Sequence, residues 1–169
     1  MAEALRGGGG LQATCGTIAG MTTDAEYMGR AFELARRAQE EGEVPVGAVL
    51  VHEGRIVGEG WNHPISSADA TSHAETEAIR MACKTVGNYR IPGSTLFVTL
   101  EPCVMCSGAI MHARIGRLVF GAFDPKTGAC GSVVNLFAEP RLNHHTTVTP
   151  GLMAEESAAM LRVFFAGRR

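Results

Sequence analysis

Two short segments constrain this chain more than any other part of its sequence. The first is His73-Ala74-Glu75, and the second, which begins about thirty residues later, is Pro102-Cys103-Val104-Met105-Cys106. Together they supply one imidazole and two thiols, which are common zinc ligands, and one carboxylate close by. Because a metal site needs these groups in one place, the fold has to bring the two segments together.

The spacing within each segment favours a shared metal site. Cys103 and Cys106 are three residues apart, so both sulfurs lie on one face if the segment opens a helix. Pro102 is tolerated in a first helical turn, and the positive end of a helix favours the thiolate form of cysteine. His73 follows the turn-rich residues 66–72 and precedes an apolar pattern with helical spacing. We therefore expect two helix starts to face one metal ion.

Glu75 is predicted to handle protons and not to bind the metal. It lies two residues from His73, which is about 200° around a helix, so the two side chains should diverge. Three protein ligands then leave the fourth position of a tetrahedral zinc ion open to water. Zinc lowers the pKa of such a water towards about 7, and Glu75 is placed to take the proton. H-x-E followed by P-C-x-x-C is the signature of zinc-dependent deaminases.

Two other uses of these residues have to be considered. A C-x-x-C pair is often half of a structural zinc site, which needs a fourth protein ligand. The available candidates for that ligand are Cys15, Cys83, Cys130, His112 and His144, and none has a spacing that recommends it. A redox pair is the other alternative, but it leaves His73 and Glu75 without a purpose. The two segments together favour a catalytic zinc site.

Composition indicates one domain with reduced cysteines. The chain has 169 residues, of which 46% are hydrophobic, and this is enough for one domain with a real core. We assign residues 21–169 to this domain, expect the glycine-rich residues 1–20 to be a disordered extension, and note Met21 as a candidate start. The five cysteines give no even disulfide framework, and no stretch is apolar enough to span a membrane. We therefore expect a cytoplasmic protein.

The order of the predicted elements indicates an α/β fold. Thr23-Asp24-Ala25-Glu26 matches a capping box, and the helix that it opens should end at Gly42. Strands are expected at 46–51 and 56–61, joined by a turn at Glu53-Gly54. The later elements are a helix at about 73–84, a strand at 95–100, the Cys103 helix, a strand at 117–121 and a last helix signalled by Thr149, Pro150, Ala158, Leu161 and Phe165. Such alternation gives a sheet covered by helices, with the metal site at strand-to-helix junctions.

From Thr23 to its C-terminus the chain resembles the bacterial tRNA-specific adenosine deaminases, which convert a wobble-position adenosine of tRNA to inosine. The residues that carry the resemblance are Gly60-Trp61-Asn62, 71–75, 98–106, Phe120-Gly121-Ala122, Asp124-Pro125-Lys126, Asn143-His144 and Phe164-Phe165. The resemblance implies a three-layer cytidine-deaminase-like fold, in which a central mixed sheet has helices on both faces.

The resemblance also implies a role for individual residues. His73, Cys103 and Cys106 would hold one Zn²⁺ per subunit, and Glu75 would be the proton shuttle for attack on C6 of adenine. Asn62 matches a position that contacts the flipped-out base, and its amide both donates and accepts hydrogen bonds. Asp124 matches a loop position near the nucleotide, where a carboxylate would accept a hydrogen bond from a ribose 2′-hydroxyl.

Partners are implied by the same resemblance. They are a tRNA anticodon stem-loop and a second copy of the chain, with Met105, Ile110 and Met111 as candidate interface residues. The net charge of −2 does not suggest general phosphate binding, although six basic residues and two acidic ones lie between Arg80 and Lys126. Two alternatives stay open: a deaminase of a free base or nucleotide (guanine, cytosine, cytidine or dCMP), and a non-catalytic tRNA-binding protein with structural zinc.

Overall fold

The computed structural model describes residues 23–168, and the expectations for residues 1–20 and Met21 lie outside this range. The first described helix, α1 (Asp24–Glu40), begins with the predicted capping box. The Glu26 N–H donates to Thr23 Oγ1 over 3.2 Å, and the Thr23 N–H donates to the Glu26 carboxylate over 2.9 Å. These bonds satisfy donors that a first helical turn otherwise leaves unpaired.

Strands and helices alternate along most of the remaining chain. The elements after α1 are β1 (Gly47–His52), β2 (Arg55–Trp61), α2 (Pro64–Ser67), α3 (Ala74–Val86), β3 (Thr95–Leu100), α4 (Val104–His112), β4 (Arg117–Ala122), a 3-10 helix (Leu136–Ala138), β5 (Thr147–Pro150) and α5 (Ala154–Ala166). β1 and β2 form the predicted hairpin. Its turn residues Glu53 and Gly54 have φ values of 51° and 73°. Positive φ values at both central residues are typical of a type I′ turn, whose twist matches that of the strands in a two-residue hairpin.

The five strands form one mixed sheet in the order β2-β1-β3-β4-β5. β1 is antiparallel to both of its neighbours, whereas β3, β4 and β5 run parallel to one another. Parallel neighbours need a crossover connection, and α4 supplies it between β3 and β4. The start of α4 therefore lies at the carboxyl edge of these strands, where open α/β sheets commonly place their sites.

Alternate residues of the strands build a core on each face of the sheet. One core joins α3 and α4 to the strand residues Ala48, Leu50, Leu96, Val98, Leu118 and Phe120. The other joins α1 to the strand residues Val49, Val51, Phe97 and Val119, and Met160 of α5 packs against it. The helices thus cover both faces, and the predicted three-layer α/β architecture is confirmed.

The last two elements differ from the sequence-based prediction. Thr149 and Pro150, expected to signal the last helix, belong to β5, which pairs with β4. A proline is tolerated there because β5 is an edge strand. The buried residues of α5 are Ser157 and Phe164. The apolar set Ala158, Leu161 and Phe165 identified the helix, in which Ala158 and Leu161 are half-buried and Phe165 is exposed.

Details near α4 and α2 also differ from the expectations. Pro102 precedes the N-cap residue Cys103, so it lies outside the first helical turn. Ile110 and Met111, candidates for a subunit interface, are buried within the chain, whereas Met105 is 36% exposed. The short helix α2 overlaps the start of residues 66–72, which the sequence predicted to form turns. Over residues 23–168, every helix is too short or too polar to cross a membrane.

Candidate metal and active site

His73, Cys103 and Cys106 converge at the starts of two helices. His73 is the N-cap of α3 and Cys103 is the N-cap of α4, as the sequence predicts. His73 Nδ1 lies 3.7 Å from Cys103 Sγ and 3.6 Å from Cys106 Sγ. A tetrahedral zinc ion with ordinary bond lengths holds nitrogen and sulfur ligands about 3.5 Å apart. The spacing of the imidazole from both sulfurs therefore fits a zinc ion, and the three ligand atoms lie within 4.8 Å of one another.

The alternative fourth ligands do not join this cluster. Among the described residues, the group of metal-binding side chains at this point contains His73, Cys103 and Cys106 alone. Cys83 Sγ instead lies 3.6 Å from the carbonyl of Tyr89, and His144 Nε2 contacts the carbonyl of Ile115. Cys130 and His112 are also outside the cluster, and Cys15 lies outside the described residues. Three protein ligands are typical of a catalytic zinc site.

The two thiols differ in how readily they lose a proton. A hydrogen bond from the Cys106 thiol lowers the pKa of Cys103 to about 4, and His73 adds to this shift. The same hydrogen bond, together with burial, raises the pKa of Cys106 far above its usual range. A second thiolate beside the first is unfavourable, but a divalent cation stabilises both and lets both thiols deprotonate. The pair is therefore arranged for cation binding.

Glu75 lies beside the cluster in a cavity of about 170 Å³. Its side chain is 5% exposed, and burial raises the pKa of Glu75 to about 7. The expected divergence from His73 does not apply, because His73 has extended backbone angles and both residues line the same cavity. Glu75 nevertheless stays outside the ligand cluster. The carboxyl is thus available for proton transfer.

Asn62 reaches the same cavity from the end of β2. The cavity is lined by Val44, Val46, Asn62, His73, Glu75, Leu100, Glu101, Cys103 and Thr127. Asn62 is 8% exposed, and among the side-chain hydrogen bonds of residues 23–168 none involves its amide. Because this amide is not among the fully buried unpaired groups of the described residues, it is open to the cavity, where it can both donate and accept hydrogen bonds. The orientation of Asn62 therefore suits contact with a polar molecule in the cavity.

The chain around Asn62 is held firmly. Its backbone N–H donates to the carbonyl of Val46 over 3.0 Å. The neighbouring Trp61 donates from Nε1 to Glu41 over 3.0 Å, and the guanidinium of Arg37 lies 3.7 Å from the centre of the Trp61 ring. Hydrogen bonding and cation–π contact thus fix Trp61 against the end of α1. This arrangement positions Asn62 without using its side chain.

Asp124 lies near the cavity, but its carboxylate is engaged by its own loop. It accepts hydrogen bonds from the backbone N–H of Lys126 over 2.9 Å and from the hydroxyl of Thr127 over 2.6 Å. Thr127, not Asp124, is the residue of this loop that lines the cavity. Asp124 therefore organises the loop, and a contact with nucleotide would have to share its oxygens.

Two polar residues of the cavity lining, Glu101 and Thr127, were not predicted from the sequence as site residues. Glu101 is 2% exposed and lies just after β3. Its place directly before Pro102-Cys103, at the carboxyl edge of the sheet, is a signal that could have identified it. Thr127 carries no such signal, because only the path of its loop brings it to the cavity.

Comparison with known proteins agrees with this geometry. Residues 21–122 match the family model of the cytidine and deoxycytidylate deaminase zinc-binding region. The tRNA-specific adenosine deaminase of Haemophilus influenzae is 54% identical over 147 residues, covering 86% of this chain and 85% of the relative. That of Bacillus subtilis is 47% identical over 145 residues, covering 86% and 90%.

A solved structure is similar over most of its length. It comes from a study of A-to-I editing by tRNA:A34 deaminases at the wobble position, and it superposes with a TM-score of 0.78 and 48% identity. The match covers 80% of this chain and 99% of that one. The chain therefore belongs to the tRNA-specific adenosine deaminases, within the zinc-binding cytidine and deoxycytidylate deaminase family.

Proposed function

We propose that this protein is a hydrolase that converts adenosine to inosine at the wobble position of tRNA. The observation that carries the proposal is the meeting of the His73, Cys103 and Cys106 cluster with a buried Glu75 in one cavity. The same zinc chemistry deaminates several bases and nucleotides. Among these substrates, membership of the tRNA-specific adenosine deaminases favours adenosine in tRNA. The same cavity would not be needed in a protein that used zinc only for structure.

The reaction exchanges the amino group on C6 of adenine for oxygen. When bound, zinc supplies a nucleophile at neutral pH by lowering the pKa of water. One proton has to reach a ring nitrogen and another the departing amine, which leaves as ammonia. Glu75 carries these protons in the proposed mechanism. Burial raises the pKa of Glu75, and a carboxyl whose pKa is raised towards neutral pH accepts and returns a proton efficiently.

Three further residues hold the metal, and one selects the base. His73, Cys103 and Cys106 hold a single zinc ion. Asn62 contacts the edge of the purine, because its amide both donates and accepts and faces the cavity without a protein partner. Asp124 acts near the ribose of the target nucleotide, in addition to its hydrogen bonds within the loop.

The partners of the reaction are inferred from the burial of the site and from the family. A base inside a stacked anticodon loop cannot reach a buried site, so the target adenosine has to leave the stack. We infer that the protein binds the anticodon stem-loop of a tRNA and works as a homodimer. It would act in the cytoplasm, a proposal that its similarity to tRNA-specific adenosine deaminases supports.

A substrate comparison tests the proposal. Purified protein is incubated separately with unmodified tRNA that carries adenosine at the wobble position, with adenosine, with guanine and with cytidine. Mass analysis then detects replacement of an amino group by oxygen. We expect conversion of the tRNA alone, and tRNA with guanosine at the wobble position serves as the matched control. Conversion of guanine or cytidine without conversion of tRNA would overturn the proposal.

A further inference from the structure

The buried carboxylate of Glu101 binds several donors of one loop, which we define as the 124–132 loop. Glu101 Oε2 accepts a hydrogen bond from the backbone N–H of Asp124 over 2.9 Å. Oε1 accepts from the N–H of Cys130 over 2.9 Å and from that of Ser132 over 3.1 Å, and the Ser132 hydroxyl also donates to Oε2. One side chain therefore holds both ends of the 124–132 loop.

The middle of the 124–132 loop packs against Glu101 and the neighbouring Pro102. A Cβ added to Gly128 would be 2.4 Å from Cδ of Glu101 and 2.6 Å from the carbonyl oxygen of Asp124, so no side chain fits there. The next residue, Ala129, donates its N–H to the carbonyl of Pro102 over 2.8 Å. The loop is thus packed against the residues that lead into the metal ligand Cys103.

These contacts connect Glu101 to the wall of the cavity. The Asp124 amide is held by Glu101, the Asp124 carboxylate holds Thr127, and Thr127 lines the cavity together with Asn62 and Glu75. If the carboxylate of Glu101 were removed, three backbone N–H groups would lose their acceptor. Donors that lose their partner in a partly buried place favour movement of the loop towards water.

We propose that Glu101 is a positioning residue, whose carboxylate holds the 124–132 loop in place as one wall of the substrate cavity. A carboxylate is suited to this task because it accepts hydrogen bonds at both oxygens and donates none. Glutamine has the same shape, but its NH₂ group would face a backbone donor. The consequence for activity rests on the proposed deamination of tRNA, whereas the consequence for the loop does not.

Amide hydrogen exchange tests the position of the loop directly. Exchange at the amides of Asp124, Cys130 and Ser132 is measured in the unchanged protein and in Glu101→Ala, Glu101→Gln and Ser132→Ala. We expect exchange at these amides to rise by about tenfold or more in Glu101→Ala, less in Glu101→Gln and least in Ser132→Ala. Glu139→Gln, which loses a contact with Arg141 outside the cavity, is the matched control. Unchanged exchange in both Glu101 variants would overturn the proposal.

Kinetics with a tRNA stem-loop separates positioning from chemistry. We expect Glu101→Ala to raise KM about tenfold while kcat changes much less and zinc content stays at that of the unchanged protein. Loss of zinc, or a fall in kcat with unchanged KM, would contradict the assigned role. If Glu101→Ala does not fold, Glu101→Gln and Ser132→Ala decide the question by the same measurements. If the unchanged protein does not convert tRNA, the proposed function fails, while the exchange experiment still decides the role of Glu101 in the loop.

Discussion

Gly60 of β2 lies directly against the carbonyl oxygen of Ala74, the first residue of α3. A Cβ at Gly60 would be 2.2 Å from that oxygen and 2.6 Å from the backbone nitrogen of Ala78. On the same strand face, Gly58 has an equally close relation to the carbonyl of Ala78, at 2.1 Å. The glycines let α3 approach the sheet closely. Because α3 begins after its N-cap His73, they also set the position of a metal ligand.

Gly60→Ala should therefore weaken both the fold and the metal site. The added methyl group has to push α3 away from the sheet, which we expect to cost about 1–3 kcal/mol in the free energy of unfolding. Thermal unfolding and zinc analysis of the purified variant measure the two effects. Gly29→Ala in α1 is the control, since nothing lies within 4 Å of its Cβ, and it should stabilise the protein slightly. Wild-type stability and zinc content in Gly60→Ala would contradict this view of the packing.

Glu75→Gln should abolish most activity without loss of zinc. The amide keeps the shape of the side chain but cannot carry a proton, so kcat should fall by at least ~10²-fold. Steady-state kinetics with tRNA and metal analysis of the same sample provide the measurement. Glu77→Gln is the control. Glu77 lies two residues after Glu75 in α3 and pairs with Arg80, and this variant should keep its activity. An equal loss of kcat in the two variants would contradict the role of Glu75 in proton transfer.

Asn62→Ala should reduce the use of the substrate and leave the metal site intact. Loss of the amide leaves polar atoms of the purine without their protein partner in the cavity. We expect kcat/KM to fall by about 10- to 100-fold, corresponding to about 1–3 kcal/mol. Asn88→Ala changes an exposed asparagine away from the cavity and serves as the control. A normal kcat/KM in Asn62→Ala would rule out the contact.

Asp124→Asn should change the preference between RNA and DNA. A carboxylate accepts a hydrogen bond from a ribose 2′-hydroxyl and repels phosphate, and an asparagine at this position does less of both. We expect activity on a DNA version of one hairpin to rise relative to its RNA version. The measurement is the ratio of the two rates in the variant and in the unchanged protein, and an unchanged ratio would refute the role near the ribose.

Zinc affinity should fall as the pH is lowered. Because the pKa of Cys106 is raised, its thiol keeps a proton at neutral pH until a cation displaces it. Zinc and protons then compete, so binding releases protons and weakens between about pH 8 and pH 6. Titration calorimetry of the chelator-treated protein in buffers of different protonation enthalpy measures the released protons. Affinity that is independent of pH would show that both thiols are already deprotonated.

Local signals in the sequence predicted much of the fold. The Thr23 capping box, the hairpin turn at Glu53-Gly54 and the start of α3 at His73 all depend on residues within a few positions of one another. The spacing of Cys103 and Cys106 likewise predicted a shared ligand face. Such features hold in almost any tertiary setting, because the atoms that decide them are neighbours along the chain.

Features that depend on distant contacts were missed. Pro150 has no local property that predicts a strand, and it becomes part of β5 because β4 offers a free edge. The burial of Ser157 in α5 could not be predicted from the apolar pattern, since it depends on a hydrogen bond to the Thr99 carbonyl. In each case the partner lies dozens of residues away.

By itself, the sequence determined which side chains are available for metal binding and proton transfer, and on which element each one lies. Only the tertiary structure decided the distances between them and the shape of the cavity. Glu101 and Thr127 join the site because a loop folds back onto the end of β3, and the position of His73 depends on Gly60 of β2. Chain neighbours are set by covalent geometry, whereas these relationships arise from packing across the sheet.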